Sequence, residues 1–169
     1  MTLSGLEPTK SSFPPVANAK TRVLILGSLP GEASLRRSQY YAHARNAFWP
    51  LMAALTEREL VAKSYPDRLA SLLDAGVGLW DVVRRARRTG SLDAHIRDHI
   101  PNALAELAAS LPRLRAIAFN GAKAAEIGRP ALAGISADLI DLPSSSPAHA
   151  VAFERKRAAW MALRPYLEP

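Results

Sequence analysis

The 169-residue chain has no cysteine. That excludes disulfides, a thiolate nucleophile and a cysteine-held iron–sulfur cluster. No apolar run approaches the ~20 residues a membrane-spanning helix requires, and residues 1–20 lack the apolar core of a secretory signal. The 4 histidines are scattered, and no acidic cluster accompanies them. Neither a resident metal nor any other cofactor is expected. A phosphate-loop lysine motif is also missing, which weighs against a small-nucleotide hydrolase. Acidic residues are the scarcer charge, 15 against 22 lysines and arginines, for a formal net charge of +7. That balance favours a polyanionic partner, nucleic acid above all, over a basic but non-binding surface. An intracellular, cytoplasmic protein is expected, nucleoid-associated if the polyanion is DNA.

With 49% hydrophobic residues, the chain has enough apolar material to bury the core of one domain. Residues 1–20, carrying Pro8, Pro14 and Pro15, read as a flexible lead-in, and residues 21–167 as a single folded unit. Four short apolar, β-branched runs read as buried strands at 22–28, 77–83, 115–119 and 137–142. Helical patterns lie between and after them. One spans 47–61 with Phe48, Leu51, Met52 and Leu55 at the 3.6-residue period, and others span 65–75, 101–110, 122–127 and 148–163. Strands alternating with helices predict a four-stranded parallel sheet inside a three-layer α/β/α sandwich.

Each expected strand ends in something unusual. The first runs into Gly27-Ser28-Leu29-Pro30-Gly31, where the glycines allow close backbone approach and the proline stiffens the turn. The second ends in Trp80-Asp81, followed by Arg84, Arg85, Arg87 and Arg88. The third ends in Asn120-Gly121, and the fourth in Pro143-Ser144-Ser145-Ser146-Pro147. In a parallel sheet these ends share one edge, where ligands bind. An acid, an amide, hydroxyls and a basic rim suit a nucleotide held by its base and its phosphates. Asp81 can accept the imino N–H that uracil and hypoxanthine present and that cytosine and adenine lack. It also fits an ordinary turn or cap residue. Arg84 and Arg85 are candidates for backbone phosphates, and the serines for phosphate binding ahead of a helix.

The stretches GSLPG, SLRRSQYYAHARNAFW, GLWDVV, FNGAKA and LPSSSPAHA together resemble the uracil-DNA glycosylase superfamily. The closest resemblance is to its sixth family, the hypoxanthine-DNA (deoxyinosine) glycosylases. It covers residues 23–160. The branch has YAHPRN where this chain has Tyr41-Ala42-His43-Ala44-Arg45-Asn46, and often an asparagine where His149 stands. Leu29 occupies a position that in much of the superfamily holds a water-orienting Asp or Asn.

The resemblance implies the superfamily's fold and a monofunctional, monomeric glycosylase acting on DNA with deaminated bases. The base is flipped into a pocket and its N-glycosidic bond is hydrolysed. A non-catalytic lesion-binding protein of the same fold is the alternative that Leu29 raises. Asn46 is the catalytic residue the resemblance implies; by itself it also fits a cap of the following helix. Tyr41 is expected to stack on the extruded base, with Gly27, Ser28, Leu29, Gly31, His43, Asp81 and Asn120 around it. Ser144, Ser145, Ser146, His149, Arg84 and Arg85 are expected to contact the DNA.

Overall fold

Strand β2 (Val23–Gly27) reads VLILG, and every residue of it is buried. Burial on both faces is what a central strand of a parallel sheet demands. The computed structural model, which describes residues 7–169, places β2 between β3 (Val77–Asp81) and β6 (Ala116–Asn120), with β7 (Asp138–Leu142) beyond β6. All three pairings are parallel. The expected four-stranded parallel sheet is therefore present, close to the predicted positions.

Side chains alternate across this sheet. Val23, Ile25, Val77, Leu79, Ala116 and Ala118 point into one core. Helices α2 (Phe48–Thr56), α3 (Tyr65–Asp74), α6 (Phe153–Trp160) and α7 (Arg164–Leu167) contribute to it. Leu24, Leu26, Ile117 and Phe119 face the opposite core, which α4 (Leu104–Ala109) and α5 (Ala122–Ala131) help close. A further short helix, α1 (Glu32–Arg37), lies in the loop after β2. Among the described residues, no helix is long and apolar enough to cross a membrane.

Three local expectations are corrected. The helix predicted at 47–61 stops at Thr56, because Glu57 adopts the left-handed conformation (φ 56°) and ends it. The helix predicted at 101–110 starts at Leu104, since residues through Pro101 are extended. The arginine run after the second parallel strand is itself a strand, β4 (Val83–Arg87), paired antiparallel with β5 (Arg97–Pro101).

Of the stretch read as a lead-in, residues 1–6 lie outside the described residues and the rest packs on the fold. Strand β1 (Thr9–Ser11) pairs antiparallel with β4 and completes a second, three-stranded sheet. Val16 exchanges backbone hydrogen bonds with Leu79 at 2.8 Å each way. The Phe13 ring meets Tyr40 edge-on at 5.2 Å, and the Phe13 carbonyl accepts the Trp80 indole N–H at 3.0 Å. Prolines here set an extended path along the sheet rather than a loose tail. Removing residues 1–16 should therefore lower stability by about 3 kcal/mol, read as a fall of roughly 6–12 °C in Tm for a chain this size.

Candidate active site at the carboxyl edge of the sheet

A cavity of about 600 Å³ opens at the carboxyl ends of the parallel strands. Its volume lies within the range for small-ligand sites. Gly27 and Asp81 are register partners on β2 and β3. A side chain on Gly27 would put Cβ 2.6 Å from Asp81 Oδ1 and 3.0 Å from the Tyr41 hydroxyl. The absent side chain is thus what lets the acid and the phenol lie across the strand end.

Asp81 is 4% exposed and its Oδ2 has no hydrogen-bond partner among the described residues. Burial, reinforced by the charge of Asp93 and opposed by Arg88, pushes its carboxyl up to about 7. It can therefore offer either an O–H or a carboxylate to a ligand near neutral pH.

Tyr41 sits in the left-handed region, φ 55°. This turns its ring onto Phe48, stacked at 3.8 Å and 19°. Phe48 covers one face of the ring, so a base can meet only the other. Burial and then the Asp81 charge push the phenol up, so it stays a neutral donor or acceptor.

The Asn46 carboxamide lines the cavity, and its Oδ1 accepts the Phe48 backbone N–H at 2.9 Å. That bond fixes the orientation of the amide, because only the oxygen can accept. Among the described residues, Nδ2 and one Oδ1 lone pair have no partner. His43 Nδ1 accepts the Arg45 N–H at 3.0 Å, which leaves Nε2 as the free ring nitrogen of an exposed side chain.

The serine turn is held from three sides. Asn120 Oδ1 accepts the Ser145 N–H at 2.8 Å, while Asn120 Nδ2 donates to Ser145 Oγ at 2.9 Å and to the Tyr41 hydroxyl at 3.3 Å. The Ala47 N–H donates to the Ser145 carbonyl at 2.9 Å. From α6, Lys156 Nζ donates to the Ser146 carbonyl at 3.0 Å and Trp160 Nε1 to the Pro143 carbonyl at 2.9 Å. Gly121 (φ 100°) passes so close to this turn that an added Cβ would lie 3.1 Å from Ser144 Cβ. The loop before α2 and the serine turn therefore touch, as a shared cradle requires.

The cavity brings together Gly27, Ser28, Leu29, Gly31, Tyr41, His43, Asn46, Asp81, Asn120, Ser144, Ser146 and His149 from the expected set. Ser145 also lines it, but it is 1% exposed and its polar atoms are engaged within the chain. Ser145 therefore acts as a structural clamp on the turn. Arg84 and Arg85 do not line the cavity. They are exposed on β4, which leads away from the cleft floor. Lys156, which reads as surface charge in the sequence, is 4% exposed and anchors the turn.

Asp93 escaped the sequence reading, and Arg88, read there as part of a basic rim, is instead an interior group. Asp93, in a short 3-10 turn between β4 and β5, lines the cavity and accepts the Ser28 hydroxyl at 2.5 Å. Arg88 is fully buried and donates to the Pro30 carbonyl, bracing the turn after β2 from below. The only signal for Asp93 was an isolated acid in an arginine-rich stretch.

The family profile of the uracil DNA glycosylase superfamily matches residues 14–166. The chain belongs to that superfamily and is a DNA glycosylase by class. It is 37% identical over 151 residues to the hypoxanthine DNA glycosylase of Methanosarcina barkeri, covering 89% of this chain and 95% of that one. It is 38% identical over 154 residues to the hypoxanthine DNA glycosylase of Methanosarcina acetivorans, covering 91% and 97%. A solution NMR structure from M. acetivorans, put forward as a uracil DNA glycosylase, superposes with a TM-score of 0.86 at 38% identity, covering 96% of this chain and all of that one.

The clamp has a measurable consequence. Asn120→Ala leaves the buried Ser145 N–H without an acceptor and should cost about 1–3 kcal/mol in denaturant unfolding. With Ser145→Ala added, the double variant should lose less than the sum of the two single losses.

Proposed function

We propose that the protein flips hypoxanthine or uracil out of duplex DNA and hydrolyses the N-glycosidic bond with water, as a monomer. The bond from C1′ to the base nitrogen breaks and its electron pair leaves with the base. Water adds to C1′, and its surplus proton ends on the base, so the products are free base and an abasic site. The observation that carries this reading is Asn46, a carboxamide whose oxygen is steered by the Phe48 N–H while the rest of the group lines the cavity. Its free lone pair can hold the attacking water and face the positive charge that develops on the sugar. Leu29 contributes no polar atom from its side chain, so that work falls to Asn46.

Asp81 supports the choice of base. Either protonation state accepts the imino N–H of the lactam edge. The neutral acid also donates to a base carbonyl, where negative charge grows as the bond breaks. Tyr41 offers the aromatic wall that a flipped base stacks against. Ser144, Ser146, His43 and His149 stand at the cavity where the sugar-phosphate of the flipped nucleotide would lie.

A duplex with one inosine or uracil should acquire an alkali-labile site on incubation. Binding without cleavage would instead make the protein a lesion binder. Asn46→Ala should lower single-turnover excision at least ~10²-fold, and loss of the cap should reduce stability by only about 1 kcal/mol.

The Asp81 carboxyl, raised to about 7, holds its proton below that pH and loses it above. Excision efficiency should therefore fall as pH rises through 7. In Asp81→Asn, which accepts and donates at every pH, that limb of the profile should flatten.

A further inference from the structure

The second sheet carries a basic face that the cleft does not use. Along β4 and one residue past its end, Ala86 and Arg88 turn inward and are 1% and 0% exposed, while Arg85 and Arg87 turn outward. The register sets Thr9, Arg87 and Arg97 in one cross-strand row, and Ser11, Arg85 and Ile100 in the next. Arg87 and Arg97 are thus directly opposed like charges, an arrangement that disfavours pairing of the strands.

Nothing within the described residues compensates them. Arg85 and Arg87 form neither ion pair nor side-chain hydrogen bond, and Arg97 donates only to the carbonyls of Ala94 and Ile96 in its own turn. A shallow concavity of about 400 Å³ lies between these strands, and Asp98 is the single acid lining it. Two further residues on this face, Thr9 and Ser11, are small, so a broad ligand can approach.

The position of the face is as telling as its charge. The β4–β5 connection begins just after Arg87 and ends just before Arg97. Its middle supplies Ser91, Leu92 and Asp93 to the cleft wall, and Ser91 Oγ accepts the Glu32 N–H at 3.0 Å. The basic face therefore continues from the cleft lip, where a duplex holding a flipped nucleotide must continue on either side.

We propose that Arg85, Arg87 and Arg97 form a second contact surface that grips the sugar-phosphate backbone of the duplex flanking the lesion. This rests on the DNA-repair reading above. The surface carries no base-reading group, so it positions the duplex and leaves choice of base to the cleft. It also explains why opposed arginines are kept on an exposed strand pair: phosphates supply the countercharge that the protein withholds.

The test is duplex binding by the triple variant R85A/R87A/R97A, beside R85K/R87K/R97K. The probe carries a 2′-fluoro deoxyinosine, whose electron-withdrawing fluorine resists formation of the sugar cation and blocks cleavage. The alanine variant should bind at least ~10-fold more weakly, and its log Kd against log salt slope should drop by roughly 2–3, near 0.9 per phosphate contact. The lysine variant should keep most of both. Tm should hold or rise in the alanine variant, because a like-charge pair has been removed. Wild-type Kd and salt slope in the alanine variant would overturn the proposal and leave the face to solvent or to an acidic protein. A Tm loss large enough to account for the weaker binding would overturn it too. Because the readout is binding, it is independent of whether wild-type protein excises any base, which is the test of the parent reading.

Discussion

Four parallel strands in register bring their carboxyl ends to one edge, and the Asn120–Ser145 clamp closes that edge into a cavity. The register alone would leave the Pro143–Pro147 turn free to swing. Asn120 meets both the N–H and the hydroxyl of Ser145, at 2.8 and 2.9 Å, in a site where Ser145 is 1% exposed. A buried polar pair of this kind is expensive to break, because each group would be left without water or partner. The Ser145 carbonyl in turn takes the Ala47 N–H. One serine thus fixes the distance between the end of β6, the start of α2 and the turn that follows β7. Asn46, adjacent to Ala47, is positioned as a result.

Charge is layered beneath this edge. Asp81 and Asp93 bring two carboxyls to one cavity wall, and their mutual repulsion adds to burial in raising the Asp81 carboxyl to about 7. Arg88 opposes this from the interior, fully buried, with Nε and Nη1 unpartnered among the described residues. Lys10 reaches the same region from β1, donating to the Gly90 carbonyl at 2.6 Å and lying 3.5 Å from Glu32. A cation buried without full pairing is destabilising. Its retention under the turn after β2 fits a role in holding that turn, through the Pro30 carbonyl, and in limiting the negative charge at the base edge. Among the described residues, the outer arginines of β4 have no such internal partners.

Leu29 shows how the chemistry can shift without changing the scaffold. Its side chain is buried at the cavity and offers nothing to water. In the proposed reading that task passes to another loop, where Asn46 Oδ1 accepts the Phe48 N–H. Capping and catalysis are compatible because an amide oxygen has two lone pairs, one for the Phe48 N–H and one for the cavity.

Much of this was legible in one dimension. The runs VLILG and AIAFN had to be buried strands, since nothing else buries five successive residues of that kind so economically. Their terminal Gly27, Asp81, Asn120 and serines marked a shared edge by parallel topology alone. What sequence could not decide depends on contacts distant along the chain. Arg85 and Arg88 are chemically identical, and only their places on β4 and just past its end send one outward and the other into the core. Lys156 and the surface arginines of α6 look alike until the Ser146 carbonyl comes within reach. Ser145 differs from its two neighbours only because Asn120 lies opposite. Local composition determined the elements and the chemistry available at their ends. Tertiary packing decided which of those groups stay free for a ligand, because burial and pairing are properties of the partners that folding brings together.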